Sequence, residues 1–167
     1  MTRTILALAA VATIGSAIAA ATVTAARADR DGEGRRLGAV TDMATIEECG
    51  ACHMAFQPAM LPARSWTAIM NGLSDHFGEN AALPDDKAKA ITGYLVANAG
   101  DASGRDNHFM RGLGASDTPL RISGTPYWIR EHRGEVRPGA FEDPRVKSKA
   151  NCVACHRGAE MGYYEDD

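Results

Sequence analysis

Two short motifs contain all four cysteines of the 167-residue chain. Residues 49–53 read CGACH and residues 152–156 read CVACH, so each motif has two cysteines three positions apart and a histidine directly after the second. This C-x-x-C-H pattern is the signature of c-type haem attachment. The two thiols can each form a thioether with one haem vinyl group, which holds the adjacent histidine beneath the iron as an axial ligand. The predicted attachment residues and proximal ligands are Cys49, Cys52 and His53 in the first motif and Cys152, Cys155 and His156 in the second.

Other uses of the cysteines have to be weighed against this interpretation. Paired cysteines in an exported chain usually form disulfides, and two C-x-x-C pairs can make a tetrahedral zinc site. A zinc site would leave the histidine after each pair unexplained. A redox dithiol would need a thioredoxin-like strand and helix around it, and neither motif has that setting. The repeated C-x-x-C-H pattern, with no cysteine left over, favours two covalently attached haems.

Each iron then needs a sixth ligand or an open site. His76 lies in the stretch LPARSWTAIMNGLSDHF, residues 61–77, which predicts a helix with Ser65 near its N-cap. Apolar residues recur there at helical spacing, at Trp66, Ile69, Met70, Leu73 and Phe77. Because His76 borders this apolar stripe, we expect it to bind the iron of the first haem. The alternative is a buried histidine whose ring bonds a backbone carbonyl.

The second iron has two candidate histidines. His132 lies in TPYWIREHR, one helical turn after Trp128, and is predicted to be its sixth ligand. The charged residues around His132 leave a surface position as the alternative. His108 lies in a segment rich in Gly, Asp and Ser, which favours an exposed loop residue, and it is the fallback ligand. Met54 and Met60 are interpreted as packing residues and not as axial ligands. Each iron would then have two histidine ligands, which predicts low reduction potentials.

The N-terminal residues predict export. Residues 1–28 have the features of a secretory signal peptide, with Arg3 before an uncharged Ala-rich stretch and a small-x-small cleavage site at Ala26-Arg27-Ala28. An uncleaved membrane anchor is the alternative. The chain from residue 29 has 16 basic and 21 acidic residues, a net charge of −5, which argues against nucleic-acid binding. We therefore expect a periplasmic protein without stable membrane insertion once the signal is removed.

The predicted fold is mainly α with extensive irregular loops, arranged as two small cytochrome c-like haem lobes. Composition divides the exported chain into a mobile N-terminal arm, a first haem lobe, a linker or loop layer and a second haem lobe; these span residues 29–39, 40–99, 100–124 and 125–167. In the first lobe, a further helix is predicted to begin at Pro84 and to end at Gly100. No strand pattern is evident.

The ordered set of phrases along the chain resembles the small dihaem cytochrome c family (DHC) of proteobacteria. These phrases are CGACHMAF, MLPARSW, DHFGENA, YLVANA, TPYWIREH and NCVACHRGAEMGYYE. The resemblance implies a periplasmic electron-transfer protein with two low-spin haems, each with two histidine ligands. It matches His76 and His132 to the sixth-ligand positions. It also implies redox partners such as an oxygen-binding class I c-type haem protein and a membrane b-type cytochrome.

The predicted function is electron transfer without substrate chemistry, so the protein is not expected to be an enzyme. A dihaem peroxidase is one alternative, but it needs an open or switchable sixth position, and such enzymes are generally much longer. A haem-based sensor or ligand-binding module is another alternative, in which one iron keeps an open site.

Overall fold

The computed structural model describes residues 36–102, 104 and 107–164. The predicted signal peptide and most of the predicted arm lie outside these residues. Four α-helices follow one another in the described chain: α1 (Met43–Cys49), α2 (Ala63–Asn71), α3 (Asp85–Ala97) and α4 (Pro126–His132). Short 3-10 turns and irregular loops connect them, and no strand occurs in the described residues. The expectation of a mainly α fold with extensive loops is confirmed.

The hydrophobic core lies between α2 and α3. Trp66 and Met70 of α2 pack with Ile91 and Leu95 of α3, and all four are less than one-tenth exposed. Their spacing of four residues on each helix places each pair on one helix face. The Trp66 indole Nε1 also donates a hydrogen bond to the carbonyl of Pro58, at 2.7 Å. This core gives the N-terminal half of the described chain a rigid frame.

The helix predicted over residues 61–77 is shorter in the structure. Helix α2 begins at Ala63 after the N-cap Pro62 and ends at Asn71, so Ser65 is an interior residue of the helix. Gly72 is the C-cap, and a 3-10 turn at Leu73–Asp75 follows it. Glycine has a low helix propensity, which explains the end at this position. The prediction that His76 lies on this helix is wrong: His76 follows the turn instead.

Helix α3 also ends earlier than predicted, at Ala97 instead of Gly100. The carbonyl of Tyr94 accepts hydrogen bonds from both the side-chain nitrogen (2.8 Å) and the backbone amide (3.2 Å) of Asn98, the residue that caps the helix. Gly100 allows a close approach of two backbone segments, because a Cβ atom there would lie 2.5 Å from the Ala59 carbonyl oxygen. Its own amide donates to the carbonyl of Leu61, at 2.9 Å.

Arg64, a residue of α2, binds the segment that follows α3. Its guanidinium donates to the carbonyls of Asp117 (2.5 Å) and Gly114 (2.9 Å) and forms an ion pair with Asp101 at 3.2 Å. Phe109 is buried in the same segment. The predicted linker at 100–124 is therefore packed against the first helices where the structure describes it. The boundaries of the predicted lobes stay predictions.

No described helix has both the length and the apolar character that crossing a membrane requires.

Candidate haem centres

Helix α1 positions the first C-x-x-C-H motif. Asp42 caps the helix, because its Oδ1 accepts hydrogen bonds from the amide (2.8 Å) and the hydroxyl (2.7 Å) of Thr45. Cys49 is the last residue of α1, and Cys52 and His53 follow in the turn after the C-cap Gly50. Cys49 is half-buried, whereas Cys52 is exposed.

The ring of His53 is oriented by two contacts. Its Nδ1 lies 2.7 Å from the carbonyl oxygen of Met54. Because a carbonyl can only accept, Nδ1 carries the proton and Nε2 keeps its lone pair for a metal ion. The ring also stacks on Phe56, with centroids 4.7 Å apart. This is the arrangement that a proximal haem ligand requires.

A tight turn places His76 opposite His53. The amide of His76 donates to the carbonyl of Glu79 at 2.7 Å, and the Glu79 amide returns a bond at 3.2 Å. Phe77 has a φ of +59°, an unusual value for a bulky residue. Burial lowers the pKa of His76, and the positive charges of His53 and Arg121 add to the effect. The neutral imidazole, which is the form that binds a metal, is therefore favoured.

The second motif lies on a 3-10 turn at Cys152–Ala154. The carbonyl of Cys152 accepts hydrogen bonds from the amides of Cys155 (3.2 Å) and His156 (2.8 Å). The turn therefore gathers both thiols and the histidine within one short loop. Cys152 is half-buried and Cys155 exposed, which repeats the pattern of the first motif.

Helix α4 positions His132 beside the second motif. Thr125 caps the helix with its hydroxyl oxygen, which accepts from the amide of Trp128 at 3.3 Å. His132 is the last residue of α4, and its ring stacks on Trp128 with centroids 4.0 Å apart. Its Nδ1 donates to the carbonyl of Trp128 at 2.8 Å, so Nε2 again keeps its lone pair.

Both histidine pairs have the separation of two imidazoles that share one metal ion. The ring centroids are 6.2 Å apart for His53 and His76 and 6.0 Å apart for His132 and His156. A metal–nitrogen bond is about 2.0–2.1 Å. The nitrogens of a five-membered ring with bonds of about 1.33 Å lie about 1.1 Å from its centroid, so two opposed ligands should have centroids about 6.3 Å apart. The residues present fit an iron between each pair.

A cavity of about 780 Å³ surrounds the second pair. It is lined by His132, His156 and both cysteines of the second motif, with Trp128 among its aromatic walls. Cofactor pockets typically have about 300–1,000 Å³ and are largely apolar. The side chains of this region thus leave the space that a haem would fill, on the side where both thiols lie.

His108 lines the same cavity. It begins a 3-10 turn, is half-buried, and has its ring 5.0 Å from that of Tyr127. The expectation of an exposed loop residue is therefore wrong. The structure nevertheless places His132 opposite His156, the position that the sequence predicts for the sixth ligand.

The cysteines do not fit the zinc and dithiol alternatives. Within the described residues, which include all four cysteines, no three metal-binding side chains converge, and no disulfide is formed. Burial raises the pKa of Cys49, with the carboxylates of Glu48 and Asp42 adding to it, and raises that of Cys152 to about 11. Reactive redox thiols have lowered pKa values instead.

A contact between the two motif regions was not predicted from the sequence. Tyr164 donates its hydroxyl proton to the side-chain oxygen of Gln57 at 2.5 Å, across 107 positions of sequence. Gln57 is 1% exposed, and its amide nitrogen donates to the carbonyl of Ala159 at 2.8 Å. Burial raises the pKa of Tyr164. No local sequence pattern predicts a hydrogen bond between residues so far apart in the chain.

Known proteins resemble this chain over most of its length. The family model of dihaem cytochrome c (DHC) matches residues 45–164. The structure is similar to a dihaem cytochrome c from Rhodobacter sphaeroides, with 51% identity, a TM-score of 0.70, and coverage of 75% of this chain and 98% of that one. It is also similar to a dihaem cytochrome type c from Shewanella baltica, with 32% identity, a TM-score of 0.60, and coverage of 74% and 86%. No protein of curated function matches significantly. The chain therefore belongs to the dihaem cytochrome c family and carries two c-type haems, through which it transfers electrons.

Proposed function

We propose that this protein is a periplasmic electron carrier, not an enzyme, and that two histidines bind each of its irons. A bound haem c supplies a one-electron iron couple whose potential depends on its axial ligands and surroundings. The proposed attachment residues are Cys49, Cys52, Cys152 and Cys155. The proposed ligand pairs are His53 with His76 and His132 with His156.

The ring separations carry the proposal. Centroid distances of 6.2 and 6.0 Å leave room for one metal ion between the two rings of each pair. In His53 and His132, the Nδ1 proton is held by a backbone carbonyl, which orients Nε2 for ligation. With both axial positions filled, neither iron has a site for a substrate, which favours a carrier over a peroxidase or a sensor.

Low reduction potentials follow from the same ligands. A histidine in the sixth position gives a lower potential than a methionine. Met54 and Met60, which follow the first motif in the chain, are buried packing residues with 8% and 2% of their surface exposed. We therefore assign the sixth positions to histidines and propose low potentials for both centres.

The partners are proposed from the resemblance to the dihaem cytochrome c family, and the exposed edges of the two motifs are compatible with them. Electron transfer requires redox partner proteins, and Cys52 and Cys155 are exposed at the two motifs. The haem edges attached to these thiols would lie where a partner can approach. The proposed partners are an oxygen-binding class I c-type haem protein and a membrane b-type cytochrome. The periplasmic location rests on the predicted signal peptide at residues 1–28.

Single substitutions in the haem-loaded protein test the ligand assignment. His76→Ala and His132→Ala should each open one iron, convert one haem from low spin to high spin, and allow it to bind carbon monoxide when reduced. His108→Ala is the matched control, because His108 lines the second cavity, whereas the ring that lies 6.0 Å from that of His156 belongs to His132. A high-spin haem in His108→Ala, with an unchanged spectrum in His132→Ala, would show that the second assignment is wrong.

A further inference from the structure

We propose that Gln57 and Tyr164 form the internal route by which electrons pass between the two centres. This inference rests on the proposed function, because it takes His53 and His156 as ligands of the two irons. Three successive contacts, all between described residues, make up the route.

The first contact lies at the first centre. The rings of His53 and Phe56 are stacked, with centroids 4.7 Å apart and planes 25° from parallel. Phe56 is bonded directly to Gln57 in the chain. The electronic states of the ligand ring are therefore linked by one ring contact and a few covalent bonds to the side chain of Gln57.

The second contact is the hydrogen bond between the two regions. The side-chain oxygen of Gln57 accepts a hydrogen bond from the Tyr164 hydroxyl at 2.5 Å. The side-chain nitrogen of Gln57 donates hydrogen bonds to the carbonyls of Ala159 (2.8 Å) and Glu160 (3.3 Å). Gln57 is almost fully buried, so water does not compete for these bonds. A short hydrogen bond couples electronic states better than an open gap of the same length. The alternative path, along the backbone from His53 to His156, runs through most of the described chain.

The third contact lies at the second centre. The ring of Tyr164 meets that of His156 edge to face, with centroids 5.7 Å apart, and it lines the cavity around this histidine. It also packs against Phe109 at 6.1 Å, which holds it in place. The three contacts together join the proximal ligand of one iron to the proximal ligand of the other.

The transfer moves one electron and no proton. The bound haems would supply the two one-electron couples, so the iron that gives the electron would go from ferrous to ferric and the iron that takes it from ferric to ferrous. Gln57 and Tyr164 are unchanged at the end. The route therefore works in either direction, as the two potentials dictate.

The test measures electron exchange between the haems in the haem-loaded protein. One haem is reduced by a light pulse through a soluble photosensitiser, and the redistribution of the electron is followed by absorbance. Tyr164→Phe keeps the ring and removes the hydrogen bond, while Gln57→Met keeps the shape of the side chain and removes the amide. Tyr163→Phe is the matched control, since Tyr163 packs beneath Arg36, 3.8 Å from its ring centroid, outside the route.

We expect a several-fold slower redistribution in Tyr164→Phe and Gln57→Met than in Tyr163→Phe, with unchanged low-spin spectra and reduction potentials in all three. A merely structural role would instead alter the spectra or potentials and leave the rate at equal driving force unchanged, which would overturn the proposal. A Tyr164→Phe rate equal to that of Tyr163→Phe would also overturn it.

A second readout does not depend on electron transfer. In the reduced protein, proton magnetic resonance should show a tyrosine hydroxyl proton protected from exchange, and this signal should vanish in Tyr164→Phe but remain in Tyr163→Phe. Failure of the ligand assignment would be visible separately, as a high-spin haem in the unmodified protein. Failure of the route alone would leave that spectrum low-spin.

Discussion

Thr125 controls the placement of His132, the proposed sixth ligand of the second iron, and the loss of its hydroxyl has a calculable cost. Thr125 is 1% exposed. Its hydroxyl accepts from the amide of Trp128 at 3.3 Å and donates to the carbonyl of Ile122 at 2.8 Å. Helix α4 has seven residues and carries His132 at its end. So short a helix has little stability of its own and depends on its cap.

The substitution Thr125→Ala removes both bonds. Loss of an N-cap side chain costs about 1 kcal/mol, and loss of a second hydrogen bond costs about 1 kcal/mol more. The conformation that holds His132 beside the iron should therefore be destabilised by about 2 kcal/mol relative to one in which α4 is displaced. The binding free energy of an external ligand that competes with His132 becomes more favourable by the same amount. This corresponds to a roughly 30-fold higher affinity.

The assay is a carbon monoxide titration of the reduced, haem-loaded protein, combined with denaturant unfolding. Thr125→Ser is the matched control, because serine keeps the hydroxyl at the N-cap position. We expect the alanine variant to bind carbon monoxide at the second haem much more tightly than the serine variant and to unfold at lower denaturant. Equal affinities and equal midpoints in the two variants would refute the role given to this cap.

Two further substitutions, each compared with a second variant, test packing contacts that cannot be predicted from the sequence. Tyr164→Phe leaves the buried side-chain oxygen of Gln57 without its donor, and it should lower the free energy of unfolding by about 1–3 kcal/mol, whereas Tyr163→Phe should change it little. Gly100→Ala places a methyl group 2.5 Å from a backbone carbonyl oxygen and should cost about 1–3 kcal/mol. Gly93→Ala, on an exposed position of α3 with open space around it, should instead stabilise by up to about 1 kcal/mol. Denaturant titrations measure all four, and equal effects of the two alanine substitutions would contradict the packing described at Gly100.

The two c-type haems were predictable because the information in the attachment motif is local. A thioether pair and its proximal histidine need five consecutive residues, so CGACH and CVACH are complete in the sequence. The helices were predictable in type for the same reason. Their ends were less so, since Gly72 and Asn98 stop α2 and α3 by local effects that compete with a continuing apolar pattern.

The positions of the proposed distal ligands depend on the path of the chain between distant segments. The helical argument for His76 was wrong, yet the structure brings this residue opposite His53 by a turn and a residue with positive φ. His108 was expected to be exposed, but it lines the second cavity because the loop before α4 folds inward. The contact of Gln57 with Tyr164 joins residues 107 positions apart, and no spacing rule reaches so far.

The most direct test of the ligand geometry is the low-temperature electron paramagnetic resonance spectrum of the oxidised, haem-loaded protein. The ring planes meet at 29° for His53 and His76 and at 84° for His132 and His156. Near-parallel ligand planes split the iron d orbitals that they contact, whereas near-perpendicular planes leave them close in energy and increase the g anisotropy. We predict two low-spin signals of equal intensity, one rhombic and one more strongly anisotropic, without a high-spin signal. A high-spin signal from either iron, or a methionine-to-iron charge-transfer band in the optical spectrum, would contradict the assignment of two histidines to each haem.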